Sequence, residues 1–375
     1  LSLPHVDKLL SQYDVMLKSF GVFLNQMKDK NKKKIKRGMW TGVLVMLLVV
    51  GTIGFIAYQR LYTPNVKVTD DGFLYIPTGA TFENVVSILA EKAVIKDELT
   101  FRWAARQMKY EENVKPGRYR IESGMSNIDL VSMLRSGKQA PVKLVFNNVR
   151  TKDQFAKRIE SQLELKSQAL LNLMNDAQYL KEFGLSPENS MTLFIPNTYE
   201  LYWNTTADKF IRRMKLEHDR FWNNERIEKA ASAGLTPSQV SILASIVQQE
   251  SNKEDEKPVI AGVYLNRLKK GWKLEADPTL VFAYGDFTVR RVLNIHKEFD
   301  SPYNTYKYSG LPPGPISLPS QKSIDAVLNY KKHDFMYFCA KEDFSGYHNF
   351  AADYKQHQEN ARKFQDAMDR RGIKS

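Results

Sequence analysis

One carboxylate in this chain ends an otherwise apolar stripe. Val240, Leu243, Val247 and Glu250 are spaced 3, 4 and 3 residues apart, so at about 100° per residue they share one narrow face of a helix. A carboxyl group drawn toward a core has its charged form disfavoured and its pKa raised, which suits a general acid near neutral pH. The plainer readings are a Glu at a frayed helix end, or one paired with a cation such as Arg267. Asn266 and Arg267 sit in the next apolar segment, and Asp277 follows in LEADPT (274–279). Further on, PYNTY (302–306) and GLPPGPI (310–316) build a rigid loop rich in rings and amides. Tyr and Asn side chains stack on sugar rings and hydrogen-bond acetamido and hydroxyl groups, although such a loop also serves to cover a core edge. The six histidines, His348 among them, show no ligand spacing, and the single Cys339 leaves no disulfide and no cysteine-based zinc site. Ser251 lacks a G-x-S-x-G setting, and neither a P-loop nor GxGxxG occurs. No metal and no cofactor is expected.

The elements that must position these residues are marked by their ends. Thr236-Pro237-Ser238-Gln239 starts a helix: Thr as N-cap, Pro in the first turn, Gln closing a capping box. A second helix is framed by Pro258 and by Lys269-Lys270-Gly271. Earlier in the chain, PTGATFENVVSIL (77–89) and ESGMSNIDLVSML (122–134) repeat one pattern at a distance of 45 positions. Each reads as a turn, a hydroxyl N-cap (Thr81, Ser126) and a short helix. A strand is expected before each copy, at 73–76 and within KPGRYRI (115–121). The repeat predicts a small α+β module at 61–145, either a spacer or a LysM-like grip on a sugar polymer. Thr151 opens the next region, which is helix-rich and aromatic-rich.

The 375 residues are 43% hydrophobic and carry a net charge of +13, enough apolar content for a large core. Residues 1–38 hold +6 of that charge, and the remaining +7 is spread over 337 residues. No basic stripe is left to track a phosphate backbone, so nucleic acid is not an expected partner. From Trp40 to Tyr58, 19 residues pass without a charge, enough helix for roughly one bilayer core. Lys28, Lys30, Lys32, Lys33, Lys34, Lys36 and Arg37 precede the run, and only Arg60 follows closely. The positive-inside rule then leaves the N-terminus in the cytoplasm and exports everything after about residue 60. A cleaved signal peptide fits less well, since 39 residues precede the run and no small-x-small site follows. Apolar positions in the tail (Leu9, Leu10, Val15, Met16, Phe20, Phe23, Leu24) suit a surface helix or a partner contact. A tether of about 6–8 residues, reaching roughly 20–28 Å, is expected between the helix and the first module. The expected organisation is α+β: a basic tail (1–38), one transmembrane helix (39–60), the small module (61–145) and a larger helix-rich α+β catalytic domain (146–375).

Six segments in order resemble the MltG/YceG family of membrane-anchored endolytic murein transglycosylases. They are ASIVQQES (244–251), VYLNRL (263–268), ADPT (276–279), PYNTY (302–306), GLPPGPI (310–316) and HNF (348–350). The likeness covers about residues 66–372 and takes in LFIPNTY (193–199) and KPGRYRI. It implies a LysM-like subdomain and a domain that cuts nascent peptidoglycan strands near the cytoplasmic (inner) membrane. It also implies a single catalytic Glu, which maps onto Glu250. Relatives often carry Glu-x-Glu there, whereas this chain has Gln248 and Gln249. Position 275 is Glu where relatives often have Gln, which leaves a second carboxylate nearby.

The implied chemistry needs one carboxylate, whereas hydrolytic glycosidases usually need two. Glu250 would protonate the oxygen between MurNAc and GlcNAc, with the MurNAc N-acetyl group stabilising the cationic centre. The resulting carboxylate would take the proton of the sugar's C6 hydroxyl, closing a 1,6-anhydro ring without water. Arg267, Asn266, Asp277, Tyr303, Asn304, Tyr306 and His348 are the candidates for holding the strand. Asp277 and Glu256 also suit supporting roles, and His348 a packing one. Implied partners are glycan strands, the membrane and peptidoglycan synthases. Two alternatives stand beside this reading: a hydrolytic muramidase using Asp277 or Glu275 as second carboxylate, and a non-catalytic peptidoglycan-binding scaffold.

Overall fold

Helix α1 (Lys32–Tyr62) contains the uncharged run, and its stretch Gly38–Tyr62 is long and apolar enough to cross a bilayer. Leu44, Leu47, Leu48, Ile53 and Phe55 along it are uncovered by any core. The computed structural model describes residues 18, 19, 22, 32–68, 72–288 and 294–372, and the apolar positions of the tail lie outside these. Helix α1 does not end in a free tether, which corrects the expected linker. Asn65 Nδ2 donates to Asn127 Oδ1 and to the Asp97 carbonyl (both 2.8 Å), and Asn127 Nδ2 donates to the Arg60 carbonyl (2.8 Å). The Arg60 guanidinium lies 5.5 Å from the Trp103 ring centre. A helix-end carbonyl that would otherwise need water is thus bonded to a buried amide, joining the apolar helix and the module directly.

The module carries the predicted repeat. β1 (Phe73–Ile76), α2 (Phe82–Glu91), α3 (Glu98–Gln107), β2 (Gly117–Arg120) and α4 (Asn127–Ser136) share one hydrophobic core. Thr81 and Ser126 cap α2 and α4, each in a complete capping box, with Asn84 and Asp129. β1 and β2 pair antiparallel, Phe73 opposite Arg120. Helix α3, capped by Asp97, is the element the repeat did not announce; its Phe101 stacks 6.2 Å from Phe82.

The region expected as one domain contains two further cores. The first joins β3 (Val142–Phe146), α5 (Lys152–Glu160), α6 (Ser167–Asn175), α7 (Ala177–Lys181), a 3-10 turn at Ser190–Leu193, β4 (Asn197–Leu201) and α8 (Ala207–Phe221). Phe146, Phe155, Phe194 and Phe210 pack ring to ring within it. β3 pairs with β4 across the expected 145/146 boundary, so that boundary falls inside a strand. The second core surrounds α10 (Pro237–Glu250) and α11 (Lys257–Lys269). Around them lie α9 (Asn224–Ser232), α12 (Asp277–Tyr284), α13 (Asn294–Lys297), α14 (Gln321–Leu328), the β5 (Tyr337–Ala340)–β6 (His348–Ala351) hairpin and α15 (Tyr354–Arg370). Among the described residues every sheet is two-stranded and helices dominate.

Candidate active site

Helix α10 starts as expected: the Thr236 hydroxyl accepts from Gln239 N (3.3 Å) and Gln239 Oε1 accepts from Thr236 N (2.8 Å). The expected single stripe is too narrow a description. Every residue from Val240 to Val247 is buried, because α9, α11, α12 and α14 enclose the helix. Glu250 comes in the last turn, half-buried, where the helix leaves that core. The two preceding glutamines bolt a loop to this turn. Gln248 Oε1 accepts from Ser320 N (2.6 Å) and Ser323 Oγ (3.1 Å), and Gln249 Nε2 donates to Ser317 Oγ (3.2 Å). The Ser245 hydroxyl accepts from Ile316 N (3.0 Å). The exit of GLPPGPI is therefore fixed to the helix that carries the acid. Gly314 in that segment passes so close to the Glu188 carbonyl and the Tyr303 hydroxyl that any Cβ would collide with both.

Among the described residues Glu250 is met by one donor. The Tyr264 hydroxyl, from the middle of α11, donates to Glu250 Oε1 (2.5 Å). Burial pushes the Glu250 carboxyl up to about 7; the Tyr264 bond pulls it down, the Asp277 charge adds to the rise and Arg267 opposes it. The helix C-terminal end, with its partial negative charge, likewise disfavours a carboxylate. Tyr264 itself is held well above the usual phenol range by burial and by the Glu250 charge beside it. Arg267 is not the ion-pair partner of Glu250. Its Nε donates to the Met336 carbonyl (2.8 Å) and its Nη1 to the Leu274 carbonyl (2.5 Å), with Glu275 Oε2 at 3.8 Å. The cation is 7% exposed, so it acts on Glu250 through space and cannot grip a strand.

The other candidates divide between the site and its scaffold. The Tyr306 hydroxyl donates to Asp277 Oδ1 (2.6 Å), and Lys297 Nζ lies 4.8 Å from the Tyr306 ring centre. Burial, then the Asp277 bond, raises the Tyr306 phenol, and Glu250 contributes to that rise. Asp277 and Tyr306 are thus brought into the electrostatic field of Glu250. Asn304 is fully buried and spent on its own loop: Nδ2 donates to the Lys297 and Phe299 carbonyls (2.9 and 2.7 Å), and Oδ1 accepts from Tyr306 N (2.9 Å). Its expected contact with substrate gives way to that role, since no amide donor remains. Tyr303 packs 4.8 Å from Phe282 against the core, and burial pushes its phenol up to about 12. Asn266 ties α11 to the strand approach, donating to the His333 and Phe335 carbonyls (2.7 and 3.0 Å). His348 leans on Glu256: its backbone N donates to Oε1 (2.6 Å), and its Nδ1 lies 2.9 Å from Oε2.

Sequence reasoning missed Tyr264 and the two glutamines. Tyr264 stands 14 residues from Glu250, in a helix buried nearly all round, where an aromatic residue reads as core. Among the described residues no group of three His, Cys, Asp or Glu side chains is placed to hold a metal ion.

The sequence profile of the YceG-like family matches residues 74–363. The chain belongs to that family. A protein of Streptococcus pneumoniae serotype 2 named endolytic murein transglycosylase is 27% identical over 333 residues, which is 79% of this chain and 60% of the relative. A protein of Bacillus subtilis with the same name is 28% identical over 284 residues, covering 72% of this chain and 78% of its own length. This chain therefore spans only 60% of the length of the pneumococcal relative it matches. The crystal structure of a YceG-like protein from Listeria monocytogenes aligns with a TM-score of 0.51 at 29% identity, covering 76% of this chain and 97% of that one. The YceG-like match takes in the acid-bearing helix, Tyr264 and both loops around them.

Proposed function

We propose that this chain is an endolytic murein transglycosylase that cuts the MurNAc–GlcNAc bond of nascent strands and leaves 1,6-anhydroMurNAc ends. The observation that carries the reading is Glu250, a carboxyl raised to about 7 at the end of a buried helix and met by one hydroxyl. Relatives in Streptococcus pneumoniae and Bacillus subtilis bear the name of that activity.

A carboxyl with this pKa is about half protonated near pH 7, so a large share of the molecules can deliver a proton to the glycosidic oxygen as the C–O bond breaks. The electron pair of that bond leaves with the departing sugar, and the acetamido group stabilises the cationic centre. Glu250 is then a carboxylate whose charge the Tyr264 hydroxyl stabilises. Asp277 and burial oppose that charge, so Glu250 readily takes back a proton from the C6 hydroxyl as the anhydro ring closes. Tyr306 offers a ring face and Asp277 an acceptor for sugar hydroxyls beside the acid. The module of β1, β2, α2, α3 and α4 serves as a LysM-like grip on the strand. Helix α1 anchors the chain in the cytoplasmic membrane with its N-terminus inside. The direct joint between α1 and the module supports action close to the membrane, where peptidoglycan synthases are the fitting partners.

The test is product analysis. The full-length chain in detergent and its Glu250→Gln variant are incubated with uncrosslinked strands, and the fragments are weighed by mass spectrometry. Anhydro ends, one water lighter than hydrolytic ends and absent with the variant, support the proposal. Reducing ends transfer the assignment to a muramidase with Asp277 or Glu275 as the second carboxylate. Strand binding without cleavage leaves a scaffold.

A further inference from the structure

The end of α10 has a second flank. Gln248 and Gln249, just before the acid, and Asn252, just after it, line a pocket of about 560 Å³. Asn148, Arg150, Lys257 and the carboxylate of Glu254, which the Lys257 ammonium neutralises, also line it. Glu250 does not line this volume, yet the chain that walls it runs through Glu250, and neighbouring Cα atoms are only about 3.8 Å apart. Volumes of this size accommodate ligands well beyond a single sugar ring.

The two cations differ. Lys257 is buried and already matched: its Nζ donates to Glu254 Oε1 (2.8 Å) and to Ser323 Oγ (3.2 Å). Arg150 has no carboxylate partner among the described residues. It is half-buried, with its guanidinium carbon 4.9 Å from the Phe287 ring centre and Nη2 donating to Gln249 Oε1 (3.1 Å). Ring and amide hold a planar, always-charged fork whose remaining N–H groups make no hydrogen bond among the described residues and suit a carboxylate. The glutamines are spent on the loop and on Arg150, whereas the exposed Asn148 and Asn252 amides carry both donors and acceptors, the complement of a peptide backbone.

The chemistry of the strand supplies a ligand of this kind at this distance. The sugar whose C1 bond Glu250 protonates carries, at C3 of the same ring, a lactyl ether that leads into an acidic peptide. We propose that the pocket receives this peptide branch and that Arg150 recognises one of its carboxylates. The assignment rests on the transglycosylase reading for its substrate and deepens it by naming the branch as a specificity element.

The experiment compares strands that carry their peptides with strands stripped of them by an amidase, using the full-length chain in detergent. The readout is the ratio of the two kcat/KM values, measured for the natural chain, Arg150→Gln and Arg150→Lys, with thermal melts to confirm folding. The natural chain is expected to favour peptide-bearing strands. Arg150→Gln is expected to reduce that preference about tenfold through KM, as loss of a charge-assisted bond would, and Arg150→Lys to restore part of it. A second arm titrates the free acidic peptide into each protein; binding seen with the natural chain and weakened in Arg150→Gln supports the pocket even where no strand is cut. An unchanged ratio with unchanged peptide binding overturns the assignment while leaving cleavage intact. Failure of cleavage with peptide binding retained and Arg150-dependent overturns the transglycosylase reading instead.

Discussion

Two glutamates six residues apart show how one side chain is put to opposite uses. Glu250 closes α10, at the negative end of a helix, with one hydroxyl donor and the Asp277 charge acting on it. Glu256 sits at the N-cap position of α11, the positive end of the next helix, and is almost fully buried. It accepts from the Ser251 hydroxyl (3.2 Å) and the His348 backbone N (2.6 Å), with His348 Nδ1 at 2.9 Å. The more buried of the two is the better satisfied, and it locks the β6 hairpin to the site. Glu250, met by one hydroxyl among the described residues, is pushed by burial up to about 7.

The comparison is sharpened first by removing each carboxylate. Glu250→Gln should lower the rate of anhydro-product formation by about 10²–10⁴-fold or more while the protein stays folded, as read by product assay and circular dichroism. Glu256→Ala should do the reverse, costing roughly 2–4 kcal/mol of stability from a broken buried network, read from denaturant melts. Activity is then lost only with the fold. A stable, inactive Glu256→Ala would break the contrast.

Stability against pH comes next. The folded Glu250 carboxyl lies at about 7, above its ordinary value of 4.5. The stability contribution of its protonated form is full below the ordinary value and lost as pH rises through the folded one. Glu250→Gln removes that loss, so its stability relative to the natural chain should rise by at most roughly 2–3 kcal/mol between pH 5 and pH 8. Smaller effects follow from the neighbours. Tyr264→Phe deletes the bond that favours the charged form, so the alkaline limb of the rate profile should move to higher pH. Asp277→Asn removes a like charge and should move that limb the other way, by less.

Legibility followed locality. The caps Thr81, Ser126, Thr151 and Thr236 were readable because a hydroxyl three residues from its amide partner is a matter of neighbouring residues. That Glu250 closes its helix was readable from the spacing of Val240, Leu243 and Val247. Tyr264 was not, because its value lies in crossing from α11 to α10, and in its own helix it is one buried ring among many. Asn304 misled for a related reason: an amide in a Tyr-rich loop looks like a sugar ligand until the loop's own carbonyls consume it. The apolar length of α1 was plain, but its junction was not, since two asparagines 62 residues apart close it. Helix α3 and the break inside the larger region depend on which apolar residues share a core, and spacing along the chain does not encode that.

The most direct test is the pH dependence of kcat/KM for anhydro-product formation. An acid at Glu250 predicts a plateau on the acidic side and a tenfold fall per pH unit above about 7, displaced upward in Tyr264→Phe. A rate that instead climbs through pH 4–5 and stays level to pH 9 would mean that an ionised Glu250 is the working form, and would contradict the account.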